Sequence, residues 1–286
     1  MSDVPGIARR ADGEGRAFAA ELMSESRGAA AGDWNPALYM KFVAERTRAA
    51  GDLLAGVPLA AARRVADLGC GPGNSAELLA ARFAEAAIVG LDTSEAMLTH
   101  ARQRVPTARF VRQDIATWSP EAPLDLVFAN AALQFLPGHE TLLPRLFAFV
   151  AAGGYLAVQM PITLHEASHA AMRMIAAEGP WARRLAPIVH AQPVIAAFED
   201  YYEWLAAAGA KVEVWTTTYV HALDGVEGVV DWFAGSGLRP FLDPLDETER
   251  EAFLSRYREA IEESYAPRAD GKLLLPYPRL FIVARR

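Results

Sequence analysis

Three glycines at alternate positions, Gly69, Gly71 and Gly73, follow the apolar run Val65-Ala66-Asp67-Leu68 and lead into Asn74-Ser75-Ala76-Glu77-Leu78-Leu79. An apolar strand, a glycine-rich turn and a helix opening in that order form the mononucleotide half of a doubly wound α/β fold. Glycines there let the backbone approach a ligand at angles that a Cβ would forbid. The spacing is G-x-G-x-G. The dinucleotide fingerprint G-x-G-x-x-G would need glycine where Asn74 stands, and the Lys-Ser/Thr pair of a phosphate-binding loop is missing. Such a loop suits a pyrophosphate poorly and an adenosyl group with a neutral linkage better. Asp92, about twenty positions further on, ends an apolar run, where a carboxylate can accept both ribose hydroxyl hydrogens or simply cap a helix. It occurs in nicotinamide enzymes too, so it does not separate the two cofactors. Asp67 lies inside an apolar strand, where a carboxylate is costly unless it is hydrogen-bonded.

The run Asp67-Leu68-Gly69-Cys70-Gly71-Pro72-Gly73-Asn74 resembles motif I of the class I S-adenosylmethionine-dependent methyltransferases. The resemblance implies S-adenosylmethionine as cofactor and a Rossmann-like seven-stranded sheet. It implies that Gly69, Cys70, Gly71, Gly73 and Asn74 form the cofactor loop, with Asp67 holding loop amides or the methionyl ammonium. Asp92 with Thr93 would take the ribose. Asp114 and Ile115 would take the adenine, and Met97 would cover its other side. Asn130-Ala131, after the fourth strand, would meet the ammonium and floor the transfer chamber, with Gln134 facing cofactor or acceptor. Cys70 reads as a small loop filler, because nothing near it in sequence activates a thiolate.

Five segments outside that core narrow the resemblance: Asp33–Tyr39, Phe128–Gln134, Val158–Pro161, Gly237–Leu242 and Leu275–Phe281. Together they resemble the members of this superfamily that methylate a carboxylate of a small tricarboxylate. The likeness runs from Asp33 to the C-terminus. Two departures face the acceptor side: Phe135 stands where tryptophan is expected, and Ile162-Thr163 where Asp-Asn is usual. A tricarboxylate entering an acidic protein needs local positive charge. Arg239 and Arg279 sit among glycines and prolines that suggest turns, from which a guanidinium can grip a carboxylate in two places. The alternative is that they pair with Asp243, Asp246 or other acids. Arg46, Tyr219, His221, His169 and Trp34 complete the candidate substrate set. A carboxylate is already ionised at pH 7, so the reaction needs no general base, no metal and none of the six histidines. Three other readings stay open: a methyltransferase for another small acid or a natural-product hydroxyl, a nicotinamide oxidoreductase, and a non-catalytic S-adenosylmethionine-binding module.

The elements that must position these residues follow from periodicity. Strands are expected at Arg64–Leu68, Ile88–Asp92, Arg109–Val111, Leu124–Ala129 and Gly154–Met160, alternating with helices such as Glu95–Arg104. A helix over Leu142–Val150 is expected to stop at Gly153-Gly154. Asn35-Pro36 opens an earlier helix carrying Leu38 and Phe42. Residues 162–208 and 222–268 read as helical lid segments, the first with breaks at Gly179-Pro180 and Pro187. Between them lies an alternating strand, Lys211–His221. Leu273–Leu275 and Leu280–Val283 read as a closing hairpin or final strands. Residues 33–286 form one domain, and residues 1–32 read as a disordered tail, with Met23 a possible translation start. The 286 residues carry a net charge of −7 and are 52% hydrophobic. That balance is poor for nucleic-acid binding, which rests on neutralising phosphates. A single cysteine and no long apolar stretch point to a soluble cytoplasmic protein.

Overall fold

The computed structural model describes residues 42–190 and 195–286. The expected tail, Trp34 and Tyr39 lie outside them, and the side chain of Arg46 is likewise not described. Helix α1 (Val43–Ala55) leads into β1 (Arg64–Leu68), α2 (Asn74–Arg82), β2 (Ala87–Asp92), α3 (Glu95–Arg104), β3 (Arg109–Arg112) and β4 (Leu124–Asn130). A 3₁₀ turn, Leu133–Phe135, precedes α4 (His139–Ala148) and β5 (Val150–Pro161). Then come α5 (Ala167–Ala176), α6 (Ala182–His190), α7 (Phe198–Ala207) and β6 (Lys211–Leu223). The chain closes with α8 (Gly225–Ala234), α9 (Arg239–Leu242), α10 (Glu247–Ser264) and β7 (Leu273–Arg285). The strands form one seven-stranded sheet in the order β3-β2-β1-β4-β5-β7-β6. Neighbours β3 to β5 pair in parallel, and β7 runs antiparallel to both β5 and β6. This is the expected doubly wound α/β sheet.

Period-two alternation sends side chains to two separate cores. Ala66, Leu68, Val127, Ala129, Leu156, Val158 and Ile282 pack with α4 and α7 through Leu142, Leu146, Tyr201 and Leu205. The intervening residues Val65, Leu126, Phe128, Tyr155, Ala157, Phe281 and Val283 pack against α1 through Ala49, Ala50 and Leu53. A third core joins α5, α8 and α10 through Met172, Ile175, Trp232, Phe233, Phe253 and Tyr257. Its helices come from the two long insertions around β6. Among the described residues no helix is long and apolar enough to cross a membrane.

The structure corrects three expectations. Helix α4 ends at Ala148, and Gly153-Gly154 lies within β5 rather than behind a helix. A Cβ on Gly154 would come within 2.7 Å of the Asp125 carbonyl, so the glycine serves a close strand approach beside a register shift. Pro187 lies inside α6, which runs through it and buries Leu185. The last strands are one continuous β7, which places Arg279 in mid-strand and not in a turn. Prolines are tolerated there for a geometric reason. The Pro278 carbonyl accepts from Ile162 N at 3.0 Å, so its nitrogen faces the side where β5 has already ended at Pro161. Pro276, two residues away, shares that direction, and neither removes a bond from the β6 ladder.

Phe281 tests the α1-side core. It is fully buried and stacked on Trp215 with ring centroids 4.9 Å apart. Phe281→Ala should cost about 3–5 kcal/mol in equilibrium denaturation. A loss below about 1 kcal/mol would mean that this contact contributes little to the core.

Candidate active site

The glycine loop, the ends of β2 and β3, and the turn after β4 line an open cleft. Eight of the expected cofactor residues line it: Gly69, Gly71, Asp92, Thr93, Met97, Asp114, Ile115 and Ala131. Gly69 has φ 68° and lies so close to the β4 turn that a Cβ would sit 2.4 Å from that of Ala132. Gly71 has φ 51°, and a Cβ there would meet no atom within 4 Å. The first glycine is thus required by packing, and the second presents bare backbone to the cleft. The loop is tied to Asp92, whose Oδ2 accepts from Gly71 N and whose Oδ1 accepts from Ser94 N, both at 2.9 Å. Burial holds the Asp92 carboxyl above the ordinary carboxylate range, while those amides pull the other way. Ser94 caps α3, accepting from Met97 N at 3.3 Å. Asp114 Oδ1 accepts from Ala116 N at 2.8 Å, which orients the carboxyl at the β3 end.

Other expected loop residues turn away from the cleft. Gly73 packs on α3, where a Cβ would lie 3.0 Å from Ala101 Cα. Asn74 Nδ2 donates to Thr47 Oγ1 at 3.1 Å, joining α2 to α1. Cys70 is buried, with its thiol pushed far up by burial and by nearby Asp67 and Asp92, so it is an inert filler.

Asp67 is fully buried at the end of β1. Neither oxygen has a hydrogen-bond partner of normal geometry, and the backbone N–H of Ala76 offsets only part of the burial penalty. Burial, with the charge of Asp92, raises its carboxyl to about 8. A buried carboxylate in this state calls for a cation. The alternation that buries Val65 places three further polar residues on the same sheet face, and the β-register aligns them. Asn130 pairs with Gln159 across β4 and β5, and Arg279 lies one side-chain step beyond Phe281, the partner of Gln159. Asn130 Oδ1 is buried and without a hydrogen-bond partner. After it, Ala131 takes a left-handed φ of 52°, a strained conformation for a residue with a Cβ. Two contacts hold it: Ala131 N donates to the Gln159 carbonyl at 2.9 Å, and Gln134 Nε2 donates to the Ala131 carbonyl at 2.8 Å. Gln134 therefore braces this turn rather than lining the cleft.

The substrate candidates divide. Arg279 is 4% exposed and donates through Nη1 to Gln159 Oε1 at 3.1 Å. Its guanidinium lies over the rings of Tyr277, at 4.7 Å, and Tyr219, at 5.7 Å. Tyr219 spends its hydroxyl on Asp52 Oδ2 at 2.6 Å, so it offers Arg279 its ring face. His221 is stacked among Trp232, Tyr219 and Tyr277. These groups gather where the α1-side core meets the helical core. Arg239 begins α9 and has Asp243 at 3.6 Å, the alternative pairing. His169 bonds Thr163 at 3.0 Å and packs edge-on to Phe233. Burial and Arg173 hold it near 4, neutral at physiological pH. Pro72, Gln113, Ala132, Phe135 and Leu136 also line the cleft. Gln113 was legible as the neighbour of Asp114. Phe135 was expected on the acceptor side; Pro72, Ala132 and Leu136 are apolar, and the turn after β4 brings the last two to the cleft.

The chain's residues 65–154 match a family model described as a methyltransferase domain. A protein of Methylobacterium nodulans named trans-aconitate 2-methyltransferase is 59% identical over 89% of this chain and 98% of its own length. One of Paracidovorax citrulli with the same name is 53% identical over the same shares. Solved structures agree in fold. A putative methyltransferase of Bacillus halodurans superposes with a TM-score of 0.54 at 15% identity, covering 82% of this chain and 97% of that one. An S-adenosylhomocysteine complex of a Geobacter sulfurreducens methyltransferase gives 0.51 at 16% identity, covering 85% and 91%. The nicotinamide and non-catalytic readings fall with these matches. The tricarboxylate likeness carried by the five sequence segments and the near-full-length identity meet in one conclusion: this chain belongs to the trans-aconitate 2-methyltransferase family of S-adenosylmethionine-dependent methyltransferases.

Proposed function

We propose that this chain moves a methyl group to a carboxylate of trans-aconitate, with Arg279 as the principal anchor for the acceptor's carboxylates. The observation that carries this is a guanidinium 4% exposed, held by an amide oxygen and two aromatic rings on the sheet face that also bears Asp67. S-adenosylmethionine, when bound, supplies a methyl carbon whose bond to sulfur breaks as a carboxylate oxygen attacks, leaving a methyl ester and S-adenosylhomocysteine. The residues fit that cofactor. Asp67 brings two buried acceptors to its ammonium, Gly71 brings open backbone, Asp92 a carboxylate for the ribose, and Asp114 with Ile115 and Met97 an adenine slot.

The acceptor oxygen needs no proton removed, so this chain's residues bind, align and exclude water. Positioning of this kind supplies about 7–11 kcal/mol in favourable cases. Arg279 fixes a non-reacting carboxylate. Helices α5 to α7 before β6 and α8 to α10 after it act as the lid that keeps water from the attacking oxygen. Phe135, 56% exposed at the cleft, and Thr163, bonded to His169, are the positions that tune acceptor choice. The acidic balance and the free, buried Cys70 support a cytoplasmic enzyme acting on small molecules rather than nucleic acid.

Transfer of methyl label to trans-aconitate, within a panel of di- and tricarboxylates, should yield a preferred monomethyl ester. No transfer to any acid overturns the proposal. Arg279→Ala should raise the acceptor KM by about thirtyfold or more, as expected for truncating a buried charge that grips another. Affinity for S-adenosylhomocysteine should stay within about twofold, measured by calorimetry. An unchanged KM removes Arg279 from the acceptor site. The raised Asp67 carboxyl sets a pH dependence. In the free protein it holds a proton that a bound ammonium drives off, so binding strengthens as pH rises and weakens as it falls. Between about pH 6 and 7.5 the S-adenosylhomocysteine affinity should rise by up to about tenfold per unit with one proton released, and Asp67→Asn should flatten it. A flat wild-type profile would show that Asp67 does not pair with the cofactor.

A further inference from the structure

Gln159 holds a polar atom that no other group among the described residues uses. Its side chain is fully buried, and its Nε2 has no hydrogen-bond partner. The orientation of the amide follows from chemistry. The guanidinium of Arg279 can only donate, so the amide atom 3.1 Å from Nη1 must be oxygen, and the NH₂ group points the other way. The backbone of Gln159 is fixed as well, since its carbonyl accepts from strained Ala131. A buried donor held this firmly without a partner among the described residues calls for an acceptor.

The row on this sheet face has a polarity. Asp67 and Asn130 present acceptors without partners at one end. Gln159 Nε2 presents a donor next, and the Arg279 cation follows. Acceptors suit the ammonium end of the cofactor. A neutral donor beside a guanidinium suits an anion with several acceptor oxygens.

We propose that Gln159 binds the acceptor, its Nε2 donating to an oxygen of the same carboxylate that Arg279 holds. Nε2 shares a carbon with the Oε1 that touches Nη1, so one carboxylate reaches both groups. Gln159 thus does two jobs: Oε1 aims the guanidinium, and Nε2 completes the grip. The pair selects an ionised acid over an alcohol, because a hydroxyl offers fewer acceptor sites to two converging donors. This rests on the carboxylate-acceptor reading above.

The test is the dissociation constant of trans-aconitate from the S-adenosylhomocysteine complex, by calorimetry at pH 8, together with the acceptor KM. Gln159→Glu keeps an oxygen for Arg279 but turns the donor into a second anionic oxygen. Gln159→Met keeps the length and removes both. In each, affinity for S-adenosylhomocysteine should stay within about twofold, while trans-aconitate binding and KM weaken by tenfold or more. Gln159→Glu is the more demanding variant, because it keeps an oxygen on Arg279 and places a negative charge where the acceptor's carboxylate would bind. If that folded variant binds trans-aconitate as the wild type does, Gln159 only braces Arg279 and the inference is wrong. If Gln159→Glu fails to fold, Gln159→Met decides, and unchanged acceptor affinity there overturns the inference too. A wild-type enzyme that binds no carboxylate at all overturns the reading beneath it, a result distinguishable from both.

Discussion

Uncompensated buried polarity on one face of the sheet governs this molecule. Burying a carboxylate, two amides and a guanidinium is costly, and each is tolerated only where a partner exists or a ligand will supply one. Period-two alternation leaves little choice in the matter. The register that buries Val65, Phe128, Ala157 and Phe281 against α1 carries Asp67, Asn130, Gln159 and Arg279 on the same side at the ligand-binding edge. The apolar core and the polar site are the two ends of one pattern. A slip of one residue in β5 or β7 would empty both.

The strained turn after β4 depends on that row. Ala131 persists in a left-handed conformation because Gln159 and Gln134 bond its backbone from two sides. The turn in turn presses Ala132 against Gly69, whose lack of a Cβ admits the contact. The glycine loop and β5 are thereby joined through three short contacts. His139 extends the chain of support. Its two nitrogens meet the Leu133 carbonyl at 2.9 Å and the Tyr201 hydroxyl at 2.6 Å, tying the cleft turn to α7. Burial keeps this histidine largely neutral, which suits a bridge between a carbonyl and a hydroxyl.

A protein of net charge −7 that takes an anionic acceptor must concentrate its attraction locally. In the proposed function Arg279 does this by burial. Stripped of bulk water and laid over two tyrosine rings, its charge is less screened than that of the surface arginines. Arg184, Arg256 and Arg258, by contrast, are spent on the exposed acids Glu249, Glu178 and Glu227. Such pairs contribute little to stability.

The sequence alone determined the parallel half of the fold and most residues that line the candidate cleft. Both are local: a glycine loop, a strand-ending acid and a capped helix lie within contiguous residues whose hydrophobic period is readable, and Arg64–Leu68 and Glu95–Arg104 match the strand and helix observed. It misplaced what depends on neighbours. Pro276 and Pro278 look like turn residues until β5 is seen to end before their nitrogens need partners. Gly153-Gly154 reads as a helix stop until Asp125 is found against it. Asn74 and Gly73 read as loop residues, and only the fold shows that α1 and α3 pack on them. Only the tertiary structure could separate Arg279 from Arg239, or pick out Gln159. A guanidinium's role is set by which groups surround it and how much water is excluded, and those come from strands more than a hundred residues apart in the chain.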